Sequence, residues 1–341
     1  MAKLTINMFA KGEDVPGQGV GSAYKEQVKL LRQFAADELE ITEAARKDGD
    51  VNHFNTVHPG SYIRLLRSKA PSVMHVHFLP TTLDGSIRLP RPASAVFKKY
   101  VMSFYKRADH LVTVNPIFIQ EIAALGIPAG KITYIPNYVS REEFRRLSDD
   151  DRAKFRKLLG MDGQQFTILG VGQVQTRKGV LDFVETAKRL PQFEFIWCGG
   201  FSFGKITDGY EELKQVVENP PANVRFVGII PRNQMNQFYN IADCLFLPSY
   251  NELFPMSILE ASNLHLPILV RDLELYEEIL GGNYLSADSP DGFVSRLTDL
   301  AEDSTVRIRM TEASRAIETF YSPEHVSKLW IDYYRRIVSE R

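Results

Sequence analysis

The sequence predicts an α/β protein made of two doubly wound domains, each built around a parallel sheet. Short runs rich in β-branched and aromatic residues alternate with amphipathic helical patterns through both halves of the chain, as in repeated strand–helix–strand units. With 341 residues and 44% apolar composition, the chain can form two hydrophobic cores. The polar segment from Arg141 to Asp151 is typical of a linker between the two halves.

The individual elements follow from local patterns. The predicted strands are Leu4 to Phe9, Ser72 to Phe78, His110 to Val114, Lys131 to Ile135, Phe166 to Val171, Phe193 to Cys198, Val224 to Val227, Cys244 to Leu247 and Pro267 to Val270. A helix is predicted over Ser22 to Ala36, because apolar residues recur there at three- and four-residue steps. Ser148, followed by aspartates, predicts a capped helix start, and an apolar stripe predicts a last helix over Glu324 to Ser339.

These patterns predict the domain limits and the place of the chemistry. We expect an N-terminal domain over residues 1–150 and a C-terminal domain over residues 151–322. The last helix, within residues 323–341, could pack back on the N-terminal domain. Ligands of doubly wound sheets bind outside the carboxyl ends of the strands, so the functional residues should lie in loops that follow strands.

Composition excludes several classes of protein. Cys198 and Cys244 both lie in apolar runs, which predicts reduced core residues with neither a disulfide framework nor metal-ligand spacing. No transmembrane segment is visible, and the apolar stretch at the N-terminus is too short for a signal peptide, so we expect a cytoplasmic protein. The net charge of −1 and the lack of a basic, aromatic-bearing strand motif argue against nucleic acid as a partner.

The most informative motif is a pair of carboxylates, Glu252 and Glu260, eight positions apart around a predicted helix start. Pro255 suits the first helical position, where its missing N–H is no loss. The amides of Phe254, Met256 and Ser257 then point at whatever Glu252 contacts, together with the positive end of the helix dipole. A ligand with an anionic group for the helix start and hydroxyl groups for the two carboxylates is a sugar nucleotide.

Two glycine-containing loops follow the first strands of the two halves. The segment from Gly170 to Gly179 contains Gly172 and places Arg177 and Lys178 at the start of the next helix, where they could neutralise a diphosphate or remain solvated loop charges. The other loop carries three glycines, Gly17, Gly19 and Gly21. Their spacing does not match the dinucleotide-binding fingerprint, so a close approach to a phosphate and a plain turn both remain open.

Two further features concern the N-terminal half. His75 and His77 alternate along a strand, and His77 lies nearer its carboxyl end, where it could bind substrate or be a satisfied polar group. Residues 85–107 contain six Lys or Arg and no acid, interleaved with apolar and aromatic residues. Such a segment suits an anionic membrane surface, or else a helix with its apolar stripe in the core and its cations in solvent. The interleaved residues are Phe97, Tyr100, Val101, Phe104 and Tyr105.

The glycines at 17–21, the Arg177-Lys178-Gly179 loop and the Glu252-to-Glu260 spacing resemble the family 4 retaining glycosyltransferases, which have the GT-B fold of two Rossmann-like domains facing a cleft. The resemblance spans nearly the whole chain. The opening segment, INMFAKGEDVPGQGVGSAYKEQVKLL, is similar to that of Gram-positive enzymes that add a second sugar to glucosyldiacylglycerol.

The resemblance implies roles for the candidate residues. Arg177 and Lys178 would neutralise the departing diphosphate, which the backbone of Gly17 to Gly21 and of Gly172 would approach. Glu252 and the amides that follow it would hold the hydroxyls of the donor sugar, and His77 would contact that sugar near the reacting carbon. Glu260 would accept hydrogen bonds from the ribose.

The expected reaction is transfer of a hexose from a UDP-sugar to monoglucosyldiacylglycerol at the inner face of the cell membrane, with galactose as the preferred sugar and glucose left open. The product would serve in the membrane and as the anchor of lipoteichoic acid. The UDP-sugar is a substrate, and neither cofactor nor metal is expected. A polyprenyl-linked or soluble acceptor is the alternative within the family. A sugar-nucleotide epimerase or a non-catalytic sugar-binding protein is the alternative from another class.

Three positions depart from the family pattern. Gln173 stands where the family often has Arg, which removes one phosphate contact that Arg177 could replace. Pro255 and His265 both stand where Gly is usual, and Pro255 removes an amide from the sugar pocket. The identity of the transferred sugar depends on these contacts.

Overall fold

The computed structural model describes residues 2–10, 19–79, 91–161, 165–202 and 204–340. Contacts divide them into two units: unit 1 runs to Tyr138 and takes up the chain again at Tyr321, and unit 2 runs from Val139 to Phe320. The division thus falls before the residue 150 that the sequence indicated. Residues after Val139 go with unit 2 because the backbone N–H groups of Arg145 and Leu147 bond side chains of that unit, at 3.1 and 2.8 Å.

The first part of the chain supplies most of unit 1. Its elements are β1 (Leu4–Phe9), α1 (Gly19–Phe34), β2 (Leu39–Glu43), β3 (Val51–Phe54), α2 (Pro59–Arg67), β4 (Ser72–Val76), α3 (Arg91–Arg107), β5 (His110–Thr113), α4 (Phe118–Ala124) and β6 (Ile132–Tyr134). The six strands form one parallel sheet in the order β2-β1-β3-β4-β5-β6.

The remaining elements build unit 2 and complete unit 1. They are α5 (Asp149–Leu158), β7 (Thr167–Val171), α6 (Val180–Arg189), β8 (Glu194–Cys198), α7 (Tyr210–Glu218), β9 (Val224–Gly228), α8 (Arg232–Ile241), β10 (Cys244–Leu247), α9 (Met256–Ser262), β11 (Ile268–Arg271), α10 (Glu274–Leu280), β12 (Leu285–Ala287), α11 (Pro290–Glu302), α12 (Ser304–Phe320) and α13 (Pro323–Ser339). The second sheet is also parallel, in the order β12-β11-β10-β7-β8-β9. The predicted α/β class with two parallel sheets is confirmed.

Helices cover both faces of the sheet in unit 1. The helices α1 and α13 pack on one face, where Trp330 and Tyr334 of α13 are buried with strand residues such as Val51 and Val73. The helices α2 and α3 pack together on the other side, with the ring of Tyr62 5.7 Å from Tyr100 and 5.3 Å from Phe104. The last helix of the chain is therefore part of the core of unit 1.

Unit 2 has its own core. Its centre is an aromatic cluster in which the ring of Phe183 lies 5.0 Å from Trp197 and 5.6 Å from Phe246. Cys198 and Cys244 are buried and unpaired, as the sequence indicated. Ser148 caps α5 by accepting a hydrogen bond from the Asp151 N–H at 3.1 Å, which accounts for the aspartates in that first turn.

The glycine-rich turn before α1 was predicted to extend to Gly21, with the helix starting at Ser22. That prediction is wrong in its boundary, because α1 begins at Gly19 and therefore contains Gly19 and Gly21. Gly17 lies outside the described residues.

The basic segment over 85–107 is described from residue 91, as α3. The segment was predicted either to lie at a membrane surface or to place its apolar stripe in the core, and three of its five interleaved residues follow the second alternative. Val101, Phe104 and Tyr105 are fully buried, and the hydroxyl of Tyr105 donates to the Phe78 carbonyl at 2.8 Å. The apolar stripe of α3 belongs to the core, and its cations Lys99, Lys106 and Arg107 remain exposed.

Candidate active site

The order of the strands in unit 2 determines where a ligand can bind. From the adjacent strands β7 and β10 the chain proceeds in opposite directions, to β8 on one side and to β11 on the other. This order is that of the dinucleotide-binding sheet, whose ligands occupy the crevice outside the carboxyl ends of the strands at such a reversal. The loops after β7 and β10 carry the candidate residues of the C-terminal half.

The loop after β7 brings two cations to this point. Arg177 and Lys178 end a short 3-10 helix, Thr176–Lys178, and Gly179 follows with a left-handed φ of 69°. A Cβ on Gly179 would lie 2.2 Å from the carbonyl oxygen of Pro248, so only glycine allows the loops after β7 and β10 to approach this closely. The side chain of Lys178 passes over Gly172, where a Cβ would meet its Cδ at 3.4 Å.

The loop after β10 brings Glu252 to both cations. The ammonium of Lys178 donates to one carboxylate oxygen of Glu252, and a guanidinium nitrogen of Arg177 lies 3.8 Å from the other. The exposed fractions of the side chains are 7% for Glu252, 12% for Lys178 and 23% for Arg177. The structure therefore brings together three of the predicted residues as one buried charged cluster.

The cluster keeps Glu252 ionised. Burial alone raises the pKa of its carboxyl group, but the charges of Lys178 and Arg177 and hydrogen bonds from Lys178 and Ser249 outweigh burial. The pKa of Glu252 is therefore lower than its usual value of 4.5. A carboxylate that is buried, charged and flanked by cations can accept hydrogen bonds from ligand hydroxyls.

Glu260 has other partners. It is in α9, where one oxygen accepts from Arg232 at 2.6 Å and the other from the hydroxyl of Tyr239 at 2.6 Å. Arg232 also lies 3.3 Å from Glu143 and over the ring of Phe144. The partners of Glu260 come from α8, and the other two contacts of Arg232 come from the segment before α5; no local sequence pattern predicts them.

The start of α9 differs slightly from the prediction. Pro255 is not its first residue: it is the N-cap, and the helix starts at Met256 because Pro255 has an extended ψ of 117°. Phe254, Met256 and Ser257 are all buried. Glu260 accordingly lies in the second turn of this short helix.

In unit 1, His77 directly follows β4 and its ring stacks on that of His75 at 4.2 Å. His75 in turn stacks on His53 of β3 at 5.4 Å. The hydroxyl of Tyr334 lies 2.6 Å from Nδ1 of His53, whereas both ring nitrogens of the buried His75 and Nε2 of His77 lack a hydrogen-bond partner among the described residues. We call these three side chains the histidine stack.

The histidine stack is neutral at physiological pH. Burial lowers the pKa of His77 to about 4. Burial, and then the charge of His77, lowers the pKa of His53 to about 3. The same causes, burial first, hold the pKa of His75 well below its usual value.

The described residues show neither a metal-binding cluster nor a membrane-spanning helix. Across the described ranges, no group of three or more His, Cys, Asp or Glu could hold a metal ion. No helix within those ranges is both long and apolar enough to cross a bilayer.

Comparisons with known proteins identify the family. Residues 17–143 match the family model described as Glycosyltransferase Family 4, and residues 151–317 match that described as Glycosyl transferases group 1. The α-galactosylglucosyldiacylglycerol synthase of Streptococcus pneumoniae is 44% identical over 336 residues, which cover 98% of this chain and 90% of that protein. The chain belongs to the family 4 glycosyltransferases.

Other relatives of this glycosyltransferase are more distant. The processive diacylglycerol α-glucosyltransferase of Acholeplasma laidlawii is 26% identical over 77% of this chain and 76% of that protein. The solved structure of Anabaena HepE in complex with UDP and glucose superposes with a TM-score of 0.77 at 15% identity, covering 97% of this chain and 99% of that one. Sucrose-phosphate synthase from Thermosynechococcus elongatus gives a TM-score of 0.79 at 15% identity over 99% and 100% of the two chains. These structures share the fold of the glycosyltransferase.

The histidine stack makes stability depend on pH. Unfolded histidines take up a proton near pH 6.5, whereas the stack stays neutral until about pH 4 or below. Folding stability should therefore fall as pH decreases from 6.5 to 4, by about 1.4 kcal/mol per pH unit for each histidine. Replacing His75 with Phe should remove one histidine's share of this slope, measured by urea unfolding between pH 4.5 and 7.

The control for this experiment is His325→Gln, which changes an exposed histidine of α13 and leaves the histidine stack intact. Equal slopes for the wild type and His75→Phe would contradict the prediction.

Proposed function

We propose that this family 4 glycosyltransferase moves galactose from UDP-galactose to monoglucosyldiacylglycerol and retains the α configuration. The observation that carries the proposal is the buried cluster of Glu252 with Arg177 and Lys178 at the strand-order reversal of unit 2. It combines groups for a sugar hydroxyl and for a diphosphate in one place. The 44% identical synthase from Streptococcus pneumoniae supports the choice of sugar and acceptor.

The cations of the cluster act on the leaving group. As the bond from the sugar to the diphosphate breaks, negative charge develops on the phosphate oxygens, and Arg177 and Lys178 stabilise it from fixed positions. Both have donors to spare, because an ammonium has three N–H groups and a guanidinium five. The leaving phosphate, once charged, helps to deprotonate the acceptor hydroxyl.

The carboxylates bind hydroxyl groups of the donor. Glu252, held ionised by the cations, accepts from hydroxyls of the transferred sugar, and the amides of Phe254, Met256 and Ser257 add donors beside it. Glu260 binds the ribose with acceptor capacity that Arg232 and Tyr239 leave unused, since a carboxylate has about four lone-pair sites and these residues occupy two.

Unit 1 offers further groups for the donor. His77 contacts the transferred sugar through Nε2, which has no partner among the described residues. A neutral imidazole suits an uncharged hydroxyl. In unit 1, the backbone at Gly19 and Gly21, in the first turn of α1, is the candidate for a close approach to the diphosphate.

This scheme needs no metal, because the two side-chain cations supply the neutralising charge. The UDP-sugar is a substrate, and no cofactor takes part.

The site assignment predicts the effect of two substitutions. Glu252→Gln keeps the shape and removes the charge, and Lys178→Ala removes one of the two cations. Each should lower kcat by about 100-fold or more, because each removes charge stabilisation or positioning in a buried site. Circular dichroism and thermal unfolding serve as the test that the fold survives. Near-normal turnover in both folded variants would contradict the assignment.

The donor and acceptor are tested together. UDP-galactose and UDP-glucose are each offered with vesicles containing monoglucosyldiacylglycerol or diacylglycerol, and the lipid product is analysed by mass and by NMR of the anomeric proton. We expect an α-linked dihexosyl lipid from UDP-galactose and monoglucosyldiacylglycerol. If UDP-glucose gave a dihexosyl lipid and UDP-galactose did not, the transferred sugar would be glucose instead of galactose. If neither donor gave a lipid product, the proposal of a lipid acceptor would be contradicted. Release of an epimerised sugar would indicate an epimerase.

We propose further that the enzyme is cytoplasmic and binds an anionic membrane surface through α2 and α3 of unit 1. These neighbouring helices expose three large apolar side chains, Ile63, Leu66 and Val96, at 51%, 48% and 69%. Lys99 and Lys106 lie on the same face of α3 as Val96, at helical spacing. Exposed apolar residues beside cations suit the boundary between headgroups and acyl chains.

Membrane binding should depend on these cations. Each Lys near an anionic bilayer contributes about 1 kcal/mol, so Lys99→Gln with Lys106→Gln should weaken sedimentation with phosphatidylglycerol vesicles by about tenfold or more. The matched control is Lys154→Gln with Lys214→Gln, which removes the same charge from exposed lysines of unit 2. Equal losses in the two double variants would contradict a specific surface on α2 and α3.

A further inference from the structure

Arg271, the last residue of β11, is a buried arginine close to the candidate site. It is 7% exposed. Its Nε donates to the Pro248 carbonyl at 3.0 Å, one Nη donates to the Asp288 carbonyl at 2.6 Å, and the other Nη forms an ion pair with Asp182. Because Pro248 follows β10, Asp288 follows β12 and Asp182 lies in the first turn of α6, one guanidinium joins four elements at the carboxyl edge of the sheet.

Tyr250 connects Arg271 to the charged cluster. Its ring lies on the guanidinium of Arg271 at 3.9 Å, and its hydroxyl donates to Asp182 at 2.7 Å. Its backbone N–H donates to the Arg177 carbonyl at 2.8 Å, and Arg177 in turn donates to the Asn251 carbonyl at 3.2 Å. The loop from Pro248 to Glu252 is thus bound on one side to Arg271 and on the other to the segment that carries the cations.

A charge as buried as that of Arg271 is costly unless it is paired and its donors are satisfied. Here its donors meet two carbonyls and a carboxylate. The planar guanidinium can make these bonds and stack on an aromatic ring at the same time, which an ammonium cannot do. The arrangement fixes the path of the loop two and four residues before Glu252, and a displacement of about 1 Å in a catalytic group can cost about 100-fold in rate.

We propose that Arg271 is a positioning residue for Glu252, acting through Pro248 and Tyr250. It touches neither the cations of the cluster nor Glu252 directly among the contacts of the described residues. The proposal rests on the role of Glu252 in the proposed function.

The test is a double-mutant cycle between Arg271 and Glu252, with kcat and KM for the UDP-sugar as readouts. Arg271→Lys keeps a positive charge beside Asp182 but loses the planar set of donors. We expect it to lower kcat by about tenfold or more in the wild-type background. In the Glu252→Gln background the same substitution should lower kcat less than about threefold, because residues that act through one group are non-additive.

A matched control separates positioning from general stability. Arg225 of β9 is also a partly buried arginine of unit 2, which donates to the Leu159 carbonyl at 3.0 Å and pairs with Glu194. Arg225→Lys should lower the melting temperature and leave kcat unchanged in both backgrounds. If Arg271→Lys does not fold, Tyr250→Ala replaces it in the cycle, since Tyr250 is 52% exposed and its loss is tolerable.

The outcomes are distinct. Equal losses of kcat from Arg271→Lys in the two backgrounds, or an unchanged kcat in the wild-type background, would overturn the positioning role while leaving the role of Glu252 intact. Wild-type turnover by Glu252→Gln alone would overturn the assignment of Glu252 and this proposal with it.

Discussion

The buried contact of Glu252 with Lys178 and Arg177 is the interaction on which the C-terminal site depends. A carboxylate with 7% of its surface exposed could not stay charged without cations beside it. The carboxylate and the cations come from different loops, so the loops after β7 and β10 must lie against each other. Gly179 permits that approach, and the N–H of Tyr250 and the carbonyl of Arg177 join the backbones.

The same contact prepares the site for its reaction. Arg177 is oriented by hydrogen bonds that it donates to the Gln175 side chain at 3.0 Å and the Asn251 carbonyl at 3.2 Å. Cations that are held in place need little reorganisation when charge develops on a leaving group. Glu252 therefore holds both cations from one position.

The sequence predicts those features of the structure that depend on patterns within a short segment, and it misses those that depend on contacts between distant residues. Strands β1 and β10 were predicted with their observed limits, because apolar residues dominate each run. In contrast, β3 was missed because Asn52 and His53, half of its four residues, are polar yet fully buried in the sheet. The edge strand β2 was missed because it carries exposed acids.

The candidate site divides in the same way. Arg177, Lys178 and Glu252 were found because glycines, cations and carboxylate spacing are readable in short segments. Arg271 gave no signal, since a lone Arg at a strand end has no pattern until Asp182, distant in sequence, is folded against it. The apolar stripe of α3 was open to two interpretations, and contacts distant in sequence, such as those of Tyr62 with Tyr100 and Phe104, assign it to the core.

The carboxyl edges of the two sheets differ in charge. In unit 2, two cations against one carboxylate leave a net positive cluster. In unit 1, burial keeps His53, His75 and His77 uncharged, so the histidine stack offers ring nitrogens without charge. The cations of unit 2 favour an anionic group at the edge of its own sheet. The uncharged rings of unit 1 favour neutral hydroxyl groups at theirs, because such groups can bond there without displacing a counter-ion.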